Sequence, residues 1–504
     1  MTAPAVPIHE TFTPLQRTLV LVTVSTCTAL YALTLTVVNV VLPQLQGAFS
    51  ATPDQVAWVV TLNIVATAVV TPATGWLVAR FGQRNVMIWA VGGFAASSML
   101  CASADTLGAL LFYRVLQGGF GAPTVPLSQA ILLAAYPKEQ RAMAQGFFGM
   151  AVVIGPAVGP VMGGYLAEEY NWRYVFMFIV PLALVALSAV LMIVRDGGRE
   201  RRPSLDWTGF LTLSIALTAM QLIMDRGERL DWLDSFEIVS LIVLMCVSFY
   251  MFVAHTLTHD DPFISPLLFL DRNYNLGLLV VFAYGMLNFT PIVLLPALLQ
   301  DLKGYPDALI GNLLAMRGAG LVVGFFIAGR MGRLDPRIGL MLGLGLIGVS
   351  GVALTGIEFN MPVSVLAWTG VVQGIGCGIM WVPLTIVTFA TLPERLLPQG
   401  SAIFHLLRNF GTSIFVSLSV MLVVRTAKLN YSDMTEFVNP YNEILKLPGV
   451  LGAWNPDSVR GLAAIGGEID RQARMIGYDN AFLLYTVAAF AIIPLLLLIR
   501  VKHR

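Results

Sequence analysis

Apolar runs of roughly twenty residues, parted by short polar turns, recur along nearly the whole chain, and each is long enough to cross the hydrocarbon core of a bilayer as a helix. The pattern predicts about fourteen membrane spans. They fall at residues 17–42, 55–78, 86–104, 107–134, 142–167, 173–195, 207–224, 236–257, 274–300, 308–330, 338–356, 363–391, 400–424 and 480–500. The seventh and eighth are the weakest: Gln221 interrupts one, and the other ends in His255 and His259. One connection is long. Residues 425–479 hold Pro440, Pro448 and Pro456 among mixed charges, and the stretch from Ser458 to Met475 has helical periodicity. This segment reads equally as an ordered extramembrane flap and as a docking surface for another protein.

The turns alternate in charge. One side carries Arg80 and Arg84, then Lys138 and Arg141, then Arg195, Arg199, Arg201 and Arg202. Arg272, then Arg330, Arg333 and Arg337, then Arg395, and finally Arg500, Lys502 and Arg504 follow on the same side. The other side is acidic or mixed: Asp54, Asp105, Glu168, Glu169, the run from Asp225 to Asp234, Asp301 and Glu358. Basic loops stay in the cytoplasm, so both termini are expected there. A repeat is also visible: VLQGGFGAPTVPL at 115–127 resembles VVQGIGCGIMWVPL at 371–384, eight spans later. The expected organisation is a cytoplasmic tail (1–16), a six-helix bundle (17–195), a linker with two inserted helices (196–257), and a second six-helix bundle (272–500) that includes the 425–479 segment. Repeats related by an axis along the membrane normal are a transporter architecture, with the substrate site between them near the midplane.

Composition agrees. Of 504 residues, 57% are hydrophobic and 12% charged, against about a quarter charged in soluble domains. The residues before the first span are too short and polar for a cleavable signal. Cys27, Cys101, Cys246 and Cys377 all lie in apolar runs without metal-ligand spacing, and they read as small buried residues. A net charge of +1 suggests no nucleic-acid partner. No HExxH motif, nucleophile–base pair or carboxylate dyad occurs in the spans, which speaks against an embedded enzyme; no cofactor or metal is implied.

Three arginines, Arg114, Arg317 and Arg408, fall inside spans. A charge at the bilayer centre costs about 2.5–3.5 kcal/mol on insertion scales, so each must face protein or a water-filled cavity. A single arginine of this kind is as readily structural, bonded to backbone carbonyls or to glutamines such as Gln117. Three of them, drawn from both halves, favour a positively charged cavity. His405 shares a helix face with Arg408. No Asp or Glu occurs in the cores of the first, second, fourth, tenth, twelfth or thirteenth spans. The fifth span carries Gly155, Pro156, Gly159, Pro160, Gly163 and Gly164. Its Gly-x3-Gly spacing admits a close neighbour and its prolines free backbone carbonyls, which suits either tight packing or a bendable, sealed gate.

Taken together, these stretches resemble the fourteen-helix drug:proton antiporters of the major facilitator superfamily, specifically the EmrB-like multidrug exporters. GWLVARFGQRNVM (75–87) resembles the superfamily loop between spans two and three, with Gly75, Arg80, Gly82 and Arg84 as its gating positions. FYRVLQGGFGAP (112–123) resembles the arginine motif of span four, and GPAVGPVMGG (155–164) the antiporter motif of span five. DWTGF (206–210), MDRGERLDW (224–232), DDPFISPLLF (260–269), LLPALLQDLKGY (294–305) and LLRNFGTSI (406–414) are further landmarks, in order. Two positions depart from the family pattern. Thr34 stands where the family places an acid five residues before the Asn of Val38-Asn39-Val40, and Ala79 stands where the gating loop has an Asp. The acid expected to carry protons in span one is therefore missing.

The resemblance implies an all-α major facilitator fold and export of small molecules by alternating access, ion-coupled, with the lipid bilayer of the cell's inner membrane as its setting. It also implies a periplasmic adaptor and an outer-membrane channel as partners. The expected cavity is lined by Arg114, Gln117, Asn39, Thr34 and Gln129 from the first half and by Arg317, His405 and Arg408 from the second. Three cations without membrane acids suit anionic or neutral amphipathic substrates. An uptake symporter or facilitator for organic anions is the alternative, and a membrane-embedded sensor a weaker one.

Overall fold

The computed structural model describes residues 13–137, 139–194, 204–331, 334–439, 441–447, 454–455 and 458–498, with the side chains of Ala157, Pro160, Asp307, Ala308 and Lys446 outside the description. The tail before Thr13, Lys138, the basic run from Arg195 to Arg202, Arg333, Pro440, Pro448, Pro456 and the basic residues from Arg500 onward lie outside the described residues.

The described residues form seventeen α-helices. The first nine are α1 (Pro14–Phe49), α2 (Pro53–Val70), α3 (Thr74–Phe81), α4 (Gln83–Ala102), α5 (Leu107–Gly121), α6 (Thr124–Ala135), α7 (Arg141–Glu169), α8 (Trp172–Met177) and α9 (Ile179–Ile193). Then come α10 (Trp207–Arg226), α11 (Phe236–Thr258), α12 (Arg272–Asp301), α13 (Asp307–Arg330), α14 (Pro336–Leu354), α15 (Val363–Phe389), α16 (Leu397–Thr435) and α17 (Val459–Ile492). Thirteen spans among the described residues are long and apolar enough to cross a membrane. The expected fourth span is present as well, but it is divided between α5 and α6, where Pro123 interrupts the helix.

Local chemistry explains the starts. α1 and α2 both open on Thr-Pro-x-Gln. Thr13 and Thr52 accept from the amides of Gln16 and Gln55, whose side chains reach back to the cap amides, and proline sits where no intrahelical donor is needed. Between α3 and α4 the chain turns at Gly82, whose φ of 85° only glycine adopts without strain. The last two long helices fill most of 425–479. α17 begins at Val459, as the periodicity from Ser458 to Met475 predicts, whereas α16 runs past its apolar stretch to Thr435, which was not expected. At about 1.5 Å per residue, the 39 residues of α16 reach about 58 Å. The extensions pack on each other: a Cβ on Gly466 would lie 3.7 Å from the Tyr431 hydroxyl.

The fifth span remains one helix through its glycines and prolines, because α1 lies directly against it. A Cβ on Gly155 would meet the backbone of Ala29 and Leu33, and one on Gly163 would come within 2.8 Å of Val37. Pro160 has no N–H to give the carbonyl of Pro156 four residues back. The Thr36 hydroxyl donates to that carbonyl instead, at 3.2 Å.

The apolar cores show how the halves meet. One core lies wholly within α1–α9. Another fills one end of the second half, around Leu294–Leu302, Leu313 and Phe482. The third belongs to the second half but also takes in Ala73, Ala130, Leu133, Ala142 and Met150 of the first. All five lie toward the end that carries Arg80, Arg84 and Arg141. The core is thus continuous across the halves at the basic end. The inserted pair, α10 and α11, packs beside them, with α10 against α2 and α16.

Candidate functional site

Each half buries one arginine on a glutamine. In the first, Arg114 of α5 is 1% exposed. Its Nε donates to the Val59 carbonyl at 2.9 Å and its Nη1 to Gln117 Oε1 one turn on. Gln117 donates in turn to Ser98 Oγ at 2.7 Å, and the Phe176 ring lies 5.8 Å from the guanidinium. In the second half Arg317 of α13 donates to Gln373 Oε1 at 2.5 Å and, through Nη2, to the carbonyl and side-chain oxygens of Asn288 at 2.6 Å. Gln373 then donates to the Leu287 carbonyl at 3.0 Å. The cavity beside Arg317 measures about 10 Å³, about enough for one water. Gln117 and Gln373 occupy matching positions of the sequence repeat. The partner arginine comes from the same helix in one half and from a neighbouring helix in the other. Both guanidinia are satisfied by neutral oxygens inside their own bundles, so the structure does not bring Arg114 and Arg317 together in one cavity.

Arg408 is different. It lies on α16 at the boundary of the halves, with Tyr31 of α1 and Tyr284 of α12 within electrostatic reach. Its Nη2 donates to Asn409 at 3.2 Å, and its guanidinium sits 5.9 Å from the Trp381 ring. Its Nε is buried and has no partner among the described residues. One turn earlier, His405 Nε2 contacts Gln129 Oε1 of α6 at 2.6 Å, and Ser401 donates to the same oxygen at 3.0 Å. These bonds cross between the halves. Because the oxygen only accepts, Nε2 carries the proton, and Nδ1 is the acceptor in the neutral ring. Gln129 Nε2, His405 Nδ1 and Trp381 Nε1 are buried and likewise lack a partner among the described residues, and the Trp381 and His405 rings are 6.2 Å apart. Buried polar atoms are nearly always bonded. Here Gln129, Trp381 and Arg408 offer donors and His405 an acceptor, a set that matches an acceptor-rich group such as a carboxylate.

The remaining expected residues are dispersed. Thr34 is buried and donates to the Leu30 carbonyl of its own helix at 3.0 Å. Asn39 lies five residues on, lining a cavity of about 210 Å³ with Asp54, Trp58, Thr61, Asp225, Arg226 and Arg229. At the basic end, a Cβ on Gly75 would come within 2.7 Å of Gln399. Gln399 also donates to the Phe263 carbonyl at 2.9 Å. Arg80 occupies the last turn of α3, and Arg84 donates to the Leu191 carbonyl at 2.8 Å. Nearby, Asp206 caps α10 and ties in α11: it accepts from Gly209 N at 2.9 Å, His255 Nε2 at 2.8 Å and Phe263 N at 3.0 Å. Burial pushes its carboxyl up, but these bonds outweigh burial and hold it below its ordinary value.

Sequence reasoning missed Asn288, Gln373, Trp381 and the Thr61–Asp225 contact. Gln373 alone was signalled, by its place in the repeat.

A family model described as Major Facilitator Superfamily matches residues 24–278 and 277–427. The chain belongs to that superfamily. Among its relatives within the superfamily, the chain is 33% identical over 433 residues to the multidrug export protein EmrB of Escherichia coli strain K12, covering 85% of this chain and 84% of that one. It is 28% identical over 466 residues to the fatty acid resistance protein FarB of Neisseria gonorrhoeae, covering 91% of each. The superfamily's proton:xylose symporter XylE, solved with 6-bromo-6-deoxy-D-glucose, superposes with a TM-score of 0.60 at 14% identity, over 96% of this chain and 97% of that one. This superfamily member is a multi-pass membrane transporter and not an enzyme.

Proposed function

We propose that this transporter exports anionic or neutral amphipathic compounds across the cytoplasmic membrane by alternating access and ion antiport. The observation that carries the reading is Arg408. It is a cation at the boundary of the halves, and its Nε, like the donors of Gln129 and Trp381 grouped with it, has no partner among the described residues. An arginine in such a place marks a substrate path more often than a scaffold. One relative is named for resistance to fatty acids, and a fatty acid, a carboxylate-bearing amphipath, fits the same chemistry. Arg114 and Arg317 then serve as the fixed keystones of the two bundles between which the substrate group moves.

The basic loops put the sealed end in the cytoplasm, both termini with it. On that reading the structure represents the outward-facing state. The seal is the apolar core that the halves share at that end, and Gly75 against Gln399 is the gating-loop contact that must part when the inner side opens; the close α1–α7 seam of Gly155, Gly159 and Gly163 packs the first bundle internally. The α16–α17 extensions then project outward. Phe437, Tyr441 and Ile444 near their tip are 69%, 90% and 66% exposed, an apolar surface suited to a periplasmic adaptor that leads to an outer-membrane channel.

Proteoliposome counterflow with a panel of fatty acids, neutral amphipaths and lipophilic cations tests the reading. Exchange of the acids, reduced at least tenfold in Arg408→Ala, supports it. Exchange confined to the lipophilic cations, or indifferent to Arg408→Ala, overturns it. Cross-linking from Tyr441 to a co-purified adaptor tests the partner, and full export from intact cells after truncation of the tip counts against one.

A further inference from the structure

Coupling an ion to transport needs a group that accepts it, and the first span has Thr34 where an acid is expected. The structure supplies a carboxylate from elsewhere. Asp225 ends α10, the first inserted helix, and accepts a hydrogen bond from the Thr61 hydroxyl of α2, across 164 residues of sequence. It faces the cavity of about 210 Å³ at the end opposite the seal, with the Asn39 amide in the same lining.

The surrounding charges are otherwise matched. Arg229 of the turn after α10 pairs with Asp54 of α2 at 2.6 Å. Arg226 pairs with Glu237 of α11 at 3.1 Å and lies 4.9 Å from the Trp58 ring. Glu228 accepts from Trp232 Nε1 at 2.9 Å. α1 contributes only the neutral Asn39, and α16 contributes serines. Asp225 is the acid here whose partner among the described residues is a neutral hydroxyl. A carboxylate, a hydroxyl and an amide carbonyl together make an oxygen-donor set for a small hard cation, and the carboxylate alone accepts a proton.

Its position also links it to both halves. Thr61 belongs to the first half. One residue before Asp225, the Met224 carbonyl accepts from Ser417 of α16 at 2.9 Å, and Ser413 donates to Gln221 at 3.4 Å. A change of charge at Asp225 therefore acts on a helix held by α2 on one face and by α16 on another, at the end that closes when the seal opens.

We propose that Asp225, with Thr61 and Asn39, takes up the coupling cation, a proton or a sodium ion, so that the inserted helix provides the acid the first span lacks. This rests on the antiport reading above. The step is a binding equilibrium: the cation enters from the outer solution, neutralises the carboxylate, and leaves on the inner side after the halves have exchanged.

The test uses the full chain in proteoliposomes, with a pH gradient or a sodium gradient imposed separately, and compares gradient-driven uptake with gradient-free counterflow of the same fatty acid. Expected for Asp225→Asn is a fall of at least tenfold in the gradient-driven rate, with counterflow lowered far less. Asp225→Glu restores the drive, and Asp105→Asn, which breaks the surface pair with Arg173 at the same end, leaves both rates as they are. The gradient to which the wild type responds identifies the ion. Undiminished drive in Asp225→Asn overturns the proposal, and so does an equal loss of drive and counterflow, which marks a structural residue. Wild-type counterflow that neither gradient stimulates also overturns it, together with the antiport part of the export reading, while sparing export itself. Absence of wild-type counterflow with every compound removes that reading and this one with it.

Discussion

Replacing Arg114 by methionine separates a structural charge from a functional one. The guanidinium makes two hydrogen bonds, to the Val59 carbonyl and to Gln117, and both acceptors are neutral. A hydrogen bond involving a charged group contributes about 1.5–3 kcal/mol, so the pair contributes about 3–6 kcal/mol. Against this stands the cost of holding the charge in the bilayer, about 2.5–3.5 kcal/mol on insertion scales. The two nearly cancel. Arg114→Met removes both terms, keeps most of the volume, and leaves Gln117 Oε1 short of a donor at a cost of about 1–3 kcal/mol. The expected net loss is about 1–3 kcal/mol, and Arg114→Met with Gln117→Leu should recover most of it, because a fully apolar replacement of a buried polar pair is often neutral. Arg114→Ala adds a cavity and should cost about 2–5 kcal/mol. Equilibrium unfolding in mixed micelles measures each variant, and counterflow in liposomes reads transport. If the double variant is no more stable than Arg114→Met, the bond between these side chains is not what holds the arginine. If it is stable but dead for exchange, Arg114 belongs to the transport path and not to the scaffold.

Other consequences concern the seam, the inserted pair and the tip. Gly155→Ala would drive a methyl into the backbone of α1 at Ala29 and Leu33. The strain of about 1–3 kcal/mol exceeds the roughly 1 kcal/mol gained in helix propensity, and the variant should unfold earlier; equal or greater stability refutes the close seam. Thr36→Val strands the Pro156 carbonyl and should cost about 1 kcal/mol, with Thr36→Ser restoring it, as read by the same unfolding assay. Asp206 is held below its ordinary value, so its contribution is complete above the usual carboxylate range near about pH 4 and is lost as pH falls through the lower folded value. Amide exchange at Gly209 and Phe263 should quicken in that acid window in the wild type and be quick at every pH in Asp206→Ala; protection that ignores pH refutes the assignment. Phe437→Ser with Tyr441→Ser should leave liposome exchange intact while weakening any adaptor complex on co-purification.

The spans were legible in the sequence because lipid demands about twenty apolar residues per crossing and the backbone must satisfy itself within each helix. The starts of α1 and α2 were legible too, since Thr-Pro-x-Gln is a local device. Arg114 with Gln117 could be read as a candidate pair, three residues apart on one helix. How far α16 runs could not: the apolar criterion stops at the lipid edge, while α16 continues to Thr435 and packs on the start of α17, whose own periodicity was visible. The orphaned carbonyl of Pro156 is evident from two prolines four apart, but that Thr36 answers it depends on which helix lies alongside. The same holds for Arg317 with Gln373, for His405 with Gln129, and for Asp225 with Thr61. Each joins residues far apart in the chain, and their meeting follows from how two halves and an inserted helix pack. By itself the sequence determined that this is a helical membrane protein with arginines in its spans and no acid beside them. Only the tertiary structure decided that two of those arginines are satisfied inside their bundles, that the third stands at the boundary with donors to spare, and that a carboxylate arrives from the inserted helix. The physical reason is that hydrophobicity acts residue by residue, whereas a hydrogen bond or a charge is settled by whichever partner the packing brings within about 3 Å.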